Sequence, residues 1–114
     1  MVDSVSYFRG IALFNKGCFF DAHEVLEDEW RAAPQAHKKF LQGLIQVAVA
    51  LHHHSKGNLD GARSLMLRAA KNLSNYPDTY GGMRLSALRD SLAEWNKAMA
   101  DGGSLPAMPK MDLT

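Results

Sequence analysis

The strongest constraint on this chain is the period at which its apolar residues recur. They return every three or four positions along most of the chain, which is the spacing of a helical face, and strand-type alternation is absent. Glycine and proline cut the pattern into five blocks. A first helix is expected from about Asp3 to Lys16, closed by Gly17. It carries two stripes, Val5, Phe8 and Ala12 on one and Tyr7, Ile11 and Phe14 on the other, which implies two neighbours. A second helix covers about Phe19 to Ala32, with Ala22, Val25 and Leu26 inward and Asp21 near its positive end. Pro34 opens a third, running to about Lys56 with Phe40, Leu44, Val47, Ala48 and Leu51 as its stripe.

Gly57 stops that helix, and Asn58 caps a fourth that continues to about Asn75. There Leu59, Ala62, Leu65, Met66, Ala69 and Leu73 recur at helical spacing. Beyond the loop YPDTYGG (76–82), a fifth helix from about Arg84 to Ala100 turns Leu85, Leu88, Leu92 and Trp95 inward. The expectation is an all-α, single-domain bundle of about five helices over residues 1–101. An irregular tail, 102–114, follows and lies along the surface.

Two segments forty residues apart read either as a weak internal repeat or as a coincidence between two ordinary helix junctions. NKGCFFDAHEVL (15–26) aligns with SKGNLDGARSLM (55–66), matching Lys16 with Lys56, Gly17 with Gly57 and Ala22 with Ala62. Both copies read as helix, glycine stop, then helix with a small inward residue. Tetratricopeptide-like antiparallel hairpins stack in this way. Two copies fall short of the roughly three repeats a solenoid needs, so a closed bundle is expected.

Composition excludes several classes. With 13 basic and 12 acidic residues the formal charge is +1, which leaves no electrostatic footprint for nucleic acid or anionic lipid. The most apolar segment, GLIQVAVAL (43–51), is far shorter than the roughly 20 residues of a membrane span. The start, MVDSVSYFRG, has an acid where a signal peptide is basic, so a cytoplasmic location is expected. A single cysteine, Cys18, excludes an internal disulfide and a multi-cysteine zinc site. The partners left open are a small-molecule substrate, which the residues do not identify, and a second copy of the chain.

The chemistry concentrates in DAHEVLEDEW (21–30). His23 and Glu27, four residues apart, share a helix face, and Trp30 extends the line by a turn. An imidazole and a carboxylate so spaced can reach one divalent metal ion. The motif differs from the His-Glu-x-x-His of zinc peptidases and from the Glu-x-x-His of di-iron bundles. A catalytic zinc also takes three protein ligands. An antiparallel hairpin turning near Pro34 sets His23 beside Leu44 and Glu27 beside Phe40. Gln46 and Gln42 then become the expected neighbours, and Gly43 between them admits Trp30 or the second helix's backbone closely. The same register puts His52 about 12 Å beyond His23. The structural alternative for this cluster is a hydrogen-bond network that fixes helix register and binds nothing.

The triplet His52 to His54 cannot chelate one ion from a regular helix, because consecutive side chains point about 100° apart. Cys18 precedes a helix but has no evident base partner, and Arg63 and Arg68 are expected in solvent.

Three blocks, F-x-x-G-x-F-F-D-A-H-E-V-L-E-D-E-W, F-L-Q-G-L-I-Q-V-A-V-A-L-H-H and K-G-N-L-D-G-A, closely resemble a bacterial and archaeal family, domain-of-unknown-function family number 309. The resemblance spans about residues 8 to 77. It includes the hallmark His-x-x-x-Glu-x-x-Trp/Tyr, matched by His23, Glu27 and Trp30. It implies a small all-α fold and a motif suggested to bind metal, with no established activity. Two readings follow. One is a metal-binding and conceivably hydrolytic domain. The other is a non-enzymatic interaction or assembly module.

Overall fold

A computed structural model describes residues 4–114 and contains five helices in chain order. α1 spans Val5–Asn15, α2 Phe19–Ala32, α3 Gln35–Ser55 and α4 Leu59–Leu73. A two-stranded hairpin follows, β1 (Thr79–Tyr80) and β2 (Met83–Arg84), before α5 (Leu85–Asp101). The expected start of the first helix at Asp3 lies outside the described residues. Among those described, Ser4 caps α1, its side chain accepting from the Tyr7 N–H at 3.1 Å.

Consecutive helices pack on one another: α1 on α2, α2 on α3, α3 on α4 and α4 on α5. α3 is the central element and buries Phe40, Leu41, Leu44, Val47, Ala48, Ala50 and Leu51. Tyr7, Ile11, Phe14, Ala22, Leu26, Met66, Leu73, Leu88 and Trp95 complete one continuous core. No helix among the described residues is long and apolar enough to cross a membrane.

The two repeat junctions fold alike. Gly17 and Gly57 take φ of 85° and 80°, and the next N–H, of Cys18 or Asn58, returns to the carbonyl of Leu13 or His53, each at 2.9 Å. Ala22 and Ala62, the small residues of the two copies, are both fully buried.

Three expectations are corrected. The Val5–Phe8–Ala12 stripe is largely uncovered: Val5 is 86% exposed and Ala12 is exposed, while Phe8, 36% exposed, lies beside Gly82 of the hairpin. α2 comes close to α1 at Gly10, where a Cβ would stand 2.8 Å from Leu26, while Tyr7 reaches Phe40 of α3 and the Gly81 carbonyl of the hairpin. Leu59, at the first position of α4, is 55% exposed and borders a groove that it shares with Ala98 and Met99 of α5 and Leu105 of the tail. The loop at 76–82 is not wholly irregular. Gly81 and Gly82 have φ of 59° and 67°, the pair of positive values a two-residue primed turn needs, and they close the β1–β2 hairpin.

The tail returns to the body of the fold. Asn15 holds Met111 at both backbone groups, donating to its carbonyl at 3.0 Å and accepting from its N–H at 2.9 Å. Met111 is fully buried. The Arg84 N–H donates to the Asp112 carbonyl, and Leu113 bridges Met83, so the tail lies beside β2. The Trp95 indole donates to the Ala107 carbonyl at 2.9 Å and anchors the middle of the tail to α5.

Candidate functional site

α2 places His23 and Glu27 on one face, as their four-residue spacing requires. His23 Nε2 stands 2.8 Å from Glu27 Oε2. The other Glu27 oxygen accepts from Arg31 at 3.0 Å, and Arg31 also donates to Asp28 at 2.7 Å. One acid is thus held between two groups, each one helical turn away. The ladder borders an open cleft of about 230 Å³ lined by His23, Glu24, Glu27, Asp28 and Arg31. His23 is about one-quarter exposed, and its ring lies against Phe20 at a centroid distance of 5.6 Å.

The other nitrogen of His23 points inward. Nδ1 is buried and has no hydrogen-bond partner among the described residues. With Nε2 donating to the carboxylate, Nδ1 is a bare acceptor. A metal-ligating histidine normally donates its other ring N–H to a carboxylate or carbonyl, so were Nε2 the ligand, Nδ1 would need an acceptor that no described residue supplies. No group of three or more His, Cys, Asp or Glu side chains able to hold a metal occurs among the described residues.

The remaining expected site residues separate from this ladder. Trp30 turns toward the core rather than the cleft. Lys38 of α3 lies 4.3 Å above its ring and bonds its carbonyl at 2.8 Å. The Trp30 indole N–H is buried and meets no acceptor among the described residues. Gln42 is exposed. Gln46 accepts from Asn72 of α4 at 2.8 Å, across the interface opposite to the one expected. Gly43 likewise serves α4. A Cβ at that position would stand 2.7 Å from Leu73, so the close approach expected of Trp30 or α2 is made by Leu73.

The histidine triplet fans outward in three directions. His52 lies against Phe20 of α2, His53 meets the capping residue Asn58, and His54 sits edge-on to Trp95 of α5. Sequence reasoning passed over Arg31, Glu24 and Asp28 as lining residues. The spacing of Arg31 one turn beyond Glu27 was the available signal.

A second polar group lies at the far end of α3. The buried Tyr7 hydroxyl donates to the Gly81 carbonyl at 2.7 Å, and Tyr80 bonds His37. Tyr76 donates to the Ala36 carbonyl at 3.0 Å and accepts from the Phe40 N–H at 3.1 Å. Burial, with Tyr80 as a smaller contributor, pushes the Tyr7 hydroxyl far above the usual phenol range. Burial followed by the neighbouring Tyr76 raises Tyr80. Through these bonds Tyr7, Tyr76 and Tyr80 fasten the hairpin region to α1 and α3.

Against known proteins, residues 7–65 match the family model described as Domain of unknown function (DUF309). An uncharacterized protein of Aquifex aeolicus is 35% identical over 82 residues, which are 71% of this chain and 25% of that protein. The uncharacterized protein YpuF of Bacillus subtilis is 41% identical over 54 residues, covering 46% of this chain and 31% of its own length. The matched segment is therefore a minor part of both relatives.

Proposed function

This chain belongs to the DUF309 family, and we propose that it works as a non-enzymatic interaction module whose His23–Glu27–Arg31 ladder is structural. One observation carries this reading: both Glu27 oxygens are engaged, by His23 at 2.8 Å and by Arg31 at 3.0 Å. Each oxygen already accepts one bond within the helix, which supports a holding role for this carboxylate. Arg31 adds a permanent positive charge that opposes a cation at the same place. The small share of the relatives that aligns supports a modular role, because the same segment is carried within longer chains.

The rival is the metal-binding, hydrolytic reading, in which His23 and Glu27 ligate a divalent ion. Its support is the 2.8 Å between their facing atoms, which is close to the separation of two ligands on one ion. It requires the His23–Glu27 hydrogen bond to give way to the ion, a third ligand, and a partner for His23 Nδ1. Thermal melts of wild type and His23→Ala, with and without divalent ions, separate the readings. A structural ladder gives no metal response in either protein.

A further inference from the structure

α2 and α4 occupy equivalent places in the two repeat copies, and each packs against α3. Their outward faces have opposite character. α2 turns Asp21, Glu24, Glu27 and Asp28 outward against the single cation Arg31, while Glu29 is half-buried and accepts from the Ser4 hydroxyl. α4 carries Arg63, Arg68 and Lys71 against Asp60. The forty-residue offset makes the contrast position-specific: Asp28 corresponds to Arg68 and Glu27 to Leu67.

Both faces are built to be covered. On α4, Leu59, Arg63, Leu67 and Lys71 follow at four-residue intervals, a single outward stripe in which the two leucines are 55% and 59% exposed. Arg63, Arg68 and Lys71 stand outside every ion pair among the described residues. On α2, Phe20 is 51% exposed, and Glu24 and Asp28 continue its line. Two shallow grooves, of about 230 and 320 Å³, share Glu24 and Asp28 as lining. Each also takes in one cation of its own chain, Arg31 in the first and Arg9 of α1 in the second, and carboxylates outnumber it in both. The helices are 14 and 15 residues long, so the faces match in extent.

We infer that the acidic face of α2 docks the basic–leucine stripe of α4 from a second copy of this chain, giving head-to-tail self-association. This rests on the interaction reading above and names its partner. The contact is heterologous, since one copy offers α2 and the other α4, so assembly continues beyond a pair. Its electrostatic part weakens with salt, because the pairs are exposed and the screening length shrinks from about 30 Å at 0.01 M to about 3 Å at 1 M.

Sedimentation or light scattering of the untagged chain at low and high salt tests this. At low salt the average mass should rise with concentration, and at high salt it should return to 12.6 kDa. Asp21→Asn/Glu24→Gln blocks one face and Arg63→Gln/Lys71→Gln the other, so each variant alone stays monomeric. Mixed, they should form a one-to-one pair that grows no further, a result misfolded variants could not give. A wild type that is monomeric at every concentration, or association unchanged in both variants, overturns the inference. Neither result touches the structural reading of His23 and Glu27, which the metal melts decide separately.

Discussion

Leu73 of α4 fills the space that a side chain at Gly43 of α3 would need, since a Cβ there would meet its Cγ and Cδ2 at 2.7 Å. Both positions are buried, and Leu73 is fully so. Gly43→Ala should therefore cost about 1–3 kcal/mol through overpacking. It should also loosen the neighbouring Asn72–Gln46 bond. Urea unfolding measures the loss. An unchanged midpoint would mean that the two helices can separate without penalty.

The Tyr7–Gly81 bond gives a pH-dependent prediction. Burial, then Tyr80, raises the Tyr7 hydroxyl above its ordinary value of 10.0, so the folded state keeps this proton after the unfolded chain has lost it. Stability is then fully present below the ordinary value and falls as pH rises above it. Tyr7→Phe should cost about 1–2 kcal/mol at neutral pH by leaving the Gly81 carbonyl without its donor. It should also flatten the alkaline decline. Urea midpoints across the alkaline range check this, and parallel declines in both proteins would contradict it.

Met111 lies three residues before Thr114 yet is fully buried, gripped through Asn15. Met111→Ala should destabilise by roughly 2–5 kcal/mol, the range for truncating a core methionine. The unfolding transition should remain single. A loss of a few tenths, or a separate early transition for the tail, would show that these residues fold apart from the helices.

These positions also mark where the sequence was legible. Helical period located all five helices, and the glycine at each repeat junction adopts the positive φ that ends its helix. Which neighbour each face meets was less legible. α3 lies between α2 and α4, and a hairpin register argument treats only the first of them, so Gln46 and Gly43 were assigned to α2 although they face α4. The Val5–Phe8–Ala12 stripe has helical spacing whether or not anything covers it, and periodicity does not report the covering. Met111 belongs to a segment without period, and its burial depends on Asn15, ninety-six residues away. Within the site, the His23–Glu27 contact was readable from spacing alone. The engagement of Glu27 by Arg31 needed the rotamers.

The central claim is that His23 and Glu27 serve each other and Arg31 rather than a metal. The most direct measurement is the melting temperature of untagged wild type and His23→Ala, each with excess zinc and with chelator. The account predicts that zinc and chelator give the same midpoint within each protein. It also predicts a modest loss in the variant, about 0.5–1.5 kcal/mol, set by one partly exposed hydrogen bond. A zinc-dependent rise in the wild type that disappears in His23→Ala would contradict it.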